Sequence, residues 1–177
     1  MNGQNKKTGG FLTVRETAVY PMLAALMFCS KIVMEALPNI HLLGMLIMTY
    51  TLVLRKKALI PIYLFVFVSG LYAGFATWWI PYLYIWALLW AAVMLLPRRL
   101  KPGVAMVVYP AVCALHGLFY GALYAPVQAL ITGLSFRGML AWIAAGLPFD
   151  AIHAAGNFAA GLLILPLSGL LERLMKQ

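Results

Sequence analysis

Three residues within "GLPFDAIHAAGNF" at 146 to 158, namely Asp150, His153 and Asn157, could do chemistry. Their spacing of i, i+3 and i+7 puts them on one face of a helix. An acid, an imidazole and an amide on one stripe can accept and donate hydrogen bonds to the polar edge of a small molecule. His116, with Tyr120 four and Tyr124 eight residues on, and Trp79, Tyr82 and Trp86 at i, i+3 and i+7 form two further stripes of the same kind. Tyr and Trp rings stack on flat ligands, so the set reads as aromatic walls with a few convergent polar groups, the make-up of a small-molecule site. Lys31 and Glu35, four apart, either bind ligand or pair with each other.

The elements that must position these residues are apolar throughout. The chain has 177 residues, of which 64% are hydrophobic and only 10% charged, which marks an integral membrane protein. Its length leaves space for about six spans of roughly 20 residues and no soluble catalytic module. Spans are predicted at about 17 to 37, 39 to 54, 58 to 75, 79 to 97, 104 to 125 and 149 to 171. The second is short and needs shelter from its neighbours. Pro148 suits the first turn of the last span. The expected architecture is an all-α six-helix membrane bundle over residues 17–171, with tails at 1–16 and 172–177.

Eleven of the thirteen basic residues fall on one side of that plan: Lys6, Lys7, Arg15, Arg55, Lys56, Lys57, Arg98, Arg99, Lys101, Arg173 and Lys176. By the positive-inside rule both termini face the cytoplasm. The net charge of +9 is then a topology signal and calls for no nucleic acid partner. On this plan Asn157 and His116 lie roughly 12 and 14 Å below the outer surface, so the polar and aromatic residues gather in the outer half of the bilayer. An ionisable group near the bilayer centre costs about 2.5 to 3.5 kcal/mol, so such groups turn to the bundle interior.

Plainer roles compete for each residue. Trp79 and Tyr82 suit an interfacial aromatic belt, His116 a packing role, and Asp150 an early-turn acid on its own helix dipole. Cys29 and Cys113 read as buried structural thiols. Gly70/Gly74 and Gly117/Gly121 are GxxxG pairs, read as close helix packing. His41, His116 and His153 match no metal-ligand spacing, and no GxSxG, HExxH or P-loop frame is present, so neither a catalytic residue nor a metal site is predicted.

The segments "LPNIHLLGMLIMTYTLVLRKKALIPIYLFVFVSGLYAGF", "WWIPYLYIWALLW" and "GLPFDAIHAAGNFAAGLLILPL", in that order, resemble the substrate-binding S component of energy-coupling factor (ECF) vitamin transporters, an ABC-type importer. The resemblance implies a bacterial-type plasma membrane protein that captures a vitamin-like, heteroaromatic ligand at the outer face. A transmembrane coupling subunit and two ATPases would deliver it, and ATP would be used by those partners, with no cofactor or catalysis in this chain. By the same resemblance, Pro38 to His41, with Asn39 and His41, match a lid. Trp79, Tyr82, Trp86, His116, Tyr120, Asp150, His153 and Asn157 match the pocket. Ala18, Ala25 and Cys29, with Pro21, stand where family members dock the coupling subunit through an AxxxA pattern that is not strict here. The opening "MNGQ" lacks the histidine of nickel and cobalt carriers, which argues against nickel or cobalt as cargo. The competing reading is a stand-alone facilitator or secondary transporter.

Overall fold

The computed structural model describes residues 12–37, 39–98 and 100–176. Lys6, Lys7, Pro38 and Arg99 lie outside the described residues. Among the described residues eight α-helices follow one another: α1 Val14–Val33, α2 Leu43–Leu54, α3 Leu59–Ala73, α4 Tyr82–Leu95, α5 Pro102–Leu118, α6 Tyr120–Thr132, α7 Phe136–Gly161 and α8 Ile164–Lys176. No strand occurs among the described residues. Among the described residues four helical stretches are long and apolar enough to cross a membrane: Val14–Ala36, Thr77–Leu95, Pro102–Thr132 and Phe136–Gly161.

The short second helix is the axle of the bundle. All nine residues from Leu43 to Thr51 are buried, and α2 packs against α1, α4, α5, α7 and α8. A helix hydrophobic on every side must be enclosed by protein or lipid, and here the neighbours enclose it. Trp86, Phe65, Ile62 and Ile85 complete the core that α3 and α4 build around it.

One end of the bundle gathers the basic residues. Glu16 closes a capping box on Thr13 and also receives Lys57 at 2.6 and 2.8 Å and the Tyr20 hydroxyl at 2.8 Å. The start of α1 is thereby tied to the α2–α3 turn. The Arg15 guanidinium donates to the Met175 carbonyl at 3.3 Å, and Arg55 donates to that of Met94 at 3.3 Å. The beginning of α1 and the end of α8 therefore meet at the same end.

The second half of the chain departs from expectation. Residues 126–148, expected as an outer loop, are helical except at 133–135, because the stop comes at "TGLSF": Gly133 takes the left-handed φ of +68° and Ser135 caps α7 by accepting from the Gly138 N–H. Pro126 and Pro148 lie inside α6 and α7, so Pro148 is not at a first turn. Each proline removes one backbone bond, a loss that the long apolar runs around it absorb. The expected span at 149 to 171 is instead the second half of α7, a break at Leu162, and α8. Cys113 is buried as expected, whereas Cys29 is exposed, since it lies on the face of α1 opposite Tyr20, Ala24 and Met27.

α5 and α7 cross in close contact. A Cβ on Gly161 would stand 2.7 Å from the Pro110 Cα of α5, a backbone atom that cannot step aside. We expect Gly161→Ala to lower stability by about 1 to 3 kcal/mol, read as thermal unfolding in detergent. Gly169→Ala, which meets open space within α8, should leave the midpoint unchanged or raise it. Equal midpoints for both variants would contradict this packing.

Candidate functional site

The polar stripe on α7 faces inward. Its buried residues are Asp150, His153, Asn157 and Gly161, while the intervening Phe149, Ile152 and Phe158 are exposed. The helix thus turns its polar side to protein and its apolar side outward, the arrangement that lipid demands. Asp150 sits about 21 Å along α7 from Phe136, which overturns its reading as an early-turn acid of its own helix.

Asp150 instead caps another helix. The continuous path from α5 into α6 breaks at Phe119 (φ −93°, ψ 4°), which makes Gly121 part of a new first turn with an N–H free of helical partners. That N–H donates to Asp150 Oδ1 at 3.0 Å. A carboxylate at a helix N-terminus meets both the donor and the positive end of the dipole. Glycine at 121 lets the carboxylate come this close: a Cβ there would meet Asp150 Oδ2 and push it aside. Gly117, one turn earlier, lies under the His153 carbonyl and the Asn157 amide. The Gly117/Gly121 pair is a close-packing seam, as read from its spacing. Gly70/Gly74 is not one: Gly70 makes room for the Phe75 and Trp79 rings, and Gly74 ends α3 with φ +83° and open space beside it.

Around this seam the three histidines of the chain converge. The His41 and His153 rings meet edge to face with centroids 4.4 Å apart, and His41 also lies 6.1 Å from Trp86. Trp86 neighbours His116 at 5.8 Å, Tyr120 at 5.9 Å and Tyr82 at 5.3 Å, and Tyr120 closes the circle on His153 at 5.0 Å. His116 Nε2 lies 3.2 Å from the Ile85 carbonyl, so the Nε2–H tautomer leaves Nδ1 as an acceptor. Asn157 donates through Nδ2 to the Cys113 carbonyl at 3.2 Å, leaving Oδ1. Among the described residues, His41 Nδ1, Trp86 Nε1, His116 Nδ1, Asp150 Oδ2, His153 Nε2 and Asn157 Oδ1 are buried without a hydrogen-bond partner. Such atoms are costly unless something satisfies them.

Charge sets Asp150 apart further. The other three acids are ion-paired: Glu16 with Lys57, Glu35 with Lys31 at 3.2 Å, and Glu172 with Lys176 at 2.7 Å. Among the described residues no cationic side chain bridges Asp150. Lys31 and Glu35 therefore pair with each other, one of the two roles open to them. No group of three His, Cys, Asp or Glu side chains among the described residues is disposed to hold a metal ion.

The remaining candidates fall in three places. Trp79 stands apart, its indole donating to the Val66 carbonyl at 2.8 Å and meeting Phe75 edge-on, which closes the α3–α4 turn. Asn39 is exposed with a left-handed φ of +60°, and Ile40 beyond it packs toward Gly156 of α7, so the loop before α2 seats on the polar helix and carries His41 into the ring cluster. Ala18, Ala25 and Cys29 are all exposed, on the outer side of α1. Sequence reasoning missed the Gly121 N–H as the partner of Asp150. The signal for it is a GxxxG pair whose second glycine follows an aromatic helix break. Comparison with known protein families, with characterised proteins and with solved structures finds no match to this chain.

The cap makes a separable prediction. Asp150→Ala leaves the first turn of α6 without its acceptor and should cost about 1 to 2 kcal/mol. Asp150→Asn keeps an oxygen for Gly121 and should recover most of that loss. A thermal melt of the two variants beside the parent checks it, and an alanine variant as stable as the parent would remove the cap.

Proposed function

We propose that this chain is the substrate-capture S component of an ECF-type importer in a bacterial-type plasma membrane. In this reading it makes six passes with both termini cytoplasmic and binds its ligand in the outer half. The reading rests on the resemblance of the sequence segments, on the basic end that joins the start of α1 to the end of α8, and above all on one observation. Asp150 is the acid with no cationic partner among the described residues, and its unpaired oxygen lies on the buried stripe shared with His153 and Asn157.

That observation also bounds the ligand. A site with a carboxylate and no Lys or Arg side chain paired to it repels phosphates and carboxylates. The unpaired acceptors Asp150 Oδ2, Asn157 Oδ1 and His116 Nδ1 call for N–H or O–H donors on the ligand, and Trp86 Nε1 offers one donor in return. The ligand is a small heteroaromatic molecule, neutral or cationic, that carries N–H groups. Trp86 and Tyr120 supply ring faces, and the His41 loop covers the site. The coupling subunit docks on the exposed small-residue stripe of Ala18, Ala25 and Cys29, where small side chains let another helix approach. ATP is hydrolysed by the two partner ATPases.

Two experiments test this reading. Tagged chain co-expressed with the coupling subunit and ATPases of its own genome should yield a detergent-stable complex. A chain that stays alone where an established S component joins the same module would refute the assignment. Within such a complex, Asp150→Asn should weaken ligand binding by about 1.5 to 3 kcal/mol, the worth of a hydrogen bond to a charged group, measured by calorimetry. Unchanged affinity would take Asp150 out of the ligand site.

A further inference from the structure

The basic end holds a second built feature, distinct from the histidine cluster and independent of the transport reading. Between the end of α2, α8 from Leu165 to Glu172, α5 at Tyr109 and the segment leading into α5 lies a cavity of about 780 Å³. Its wall is largely aliphatic, with Leu52, Leu100 and Leu165, and its polar groups are Arg55, Arg98, Tyr109, Ser168 and Glu172. The Ser168 hydroxyl is buried without a hydrogen-bond partner among the described residues. A smaller adjoining cavity shares Arg55 and Arg98 and adds Lys56 and Lys57. The one acid on the rim, Glu172, is ion-paired with Lys176 at 2.7 Å, and Lys57 is held by Glu16, so the two arginines set the sign of the site. Arg55 keeps a left-handed φ of +55°, a conformation uncommon for a residue with a side chain, and spends one guanidinium nitrogen on the Met94 carbonyl. Its planar fork retains further donors, as does that of Arg98.

We propose that this cavity binds the phosphate headgroup of an anionic phospholipid from the leaflet surrounding the basic end. Arginine forks match phosphate oxygens, and basic pockets between helices at a membrane surface take acidic headgroups. The unpaired Ser168 hydroxyl supplies a further donor. The aliphatic wall is what separates a lipid from a free anion: a phosphodiester with acyl chains covers Leu52, Leu100 and Leu165, whereas inorganic phosphate leaves them bare.

The test uses the full-length chain in detergent, with bound lipid counted by native mass spectrometry. Phosphatidylglycerol is compared with phosphatidylcholine of identical acyl chains. Arg98 is exposed, so R98Q keeps the fold, and K101Q removes a neighbouring charge that does not line the cavity. We expect phosphatidylglycerol to be retained in preference to phosphatidylcholine, R98Q to weaken that retention about fivefold, and K101Q to leave it intact. Equal retention of the two lipids overturns the proposal. So does an equal loss in R98Q and K101Q, which would mean diffuse attraction to a basic surface. Inorganic phosphate that displaces the lipid at comparable concentration assigns the site to a free anion and overturns the lipid.

Discussion

The architecture depends on one contact, the polar stripe of α7 laid on the glycines of α5 and α6. An acid, an imidazole and an amide on one helix cannot face hydrocarbon without a cost of several kcal/mol. They must be turned inward, and turning them inward requires a partner helix close enough to hydrogen-bond them. Gly117 and Gly121 allow that approach, the Cys113 carbonyl and the Gly121 N–H supply the bonds, and Gly161 seats against Pro110. Once α5, α6 and α7 are locked this way, α2 has walls to be buried against, and α4 can bring Trp86 to the histidines.

The same contact explains why the site is under-satisfied. Asp150 and Asn157 each spend one polar atom on the seam and keep one. His116 likewise spends Nε2 on Ile85 and keeps Nδ1. Structural bonds fix the side chains while their second atoms stay unpartnered among the described residues, which is the pre-organisation that the proposed binding site requires. A set that served packing alone would gain from closing those bonds internally, since a half-satisfied polar network is worse than an apolar core. The bundle has two chemically opposite ends: one with an acid and imidazoles, the other with arginines around an aliphatic cavity.

Much of this was legible in the chain. The 3.6-residue spacing of Asp150, His153 and Asn157 gave their common face, the run from Leu43 to Thr51 gave a short helix needing shelter, and the basic clusters gave one end. What stayed hidden has physical causes. Proline usually ends a helix in water, yet Pro126 and Pro148 sit within helices here, so the expected outer loop spans 126–148 where the break covers only 133–135. The break at Phe119 has no proline or glycine at its centre, and without it the N–H that Asp150 caps does not exist. Spacing grouped Trp79 with Tyr82 and Trp86, but it precedes α4 in a tight turn, where helical periodicity does not apply. His41 read only as a loop residue because its partner, His153, is far away in sequence.

The central claim is that the buried polar stripe is made for a ligand that brings N–H donors. The most direct measurement is chemical: purify the full-length chain from its own membranes, release whatever small molecule it retains, and identify it by mass spectrometry beside an Asp150→Asn preparation of equal helicity. The account predicts a neutral or cationic heteroaromatic compound at near-stoichiometric level in the parent and depleted in the variant. A retained molecule bearing phosphate or carboxylate, or one held equally by both preparations, would contradict it.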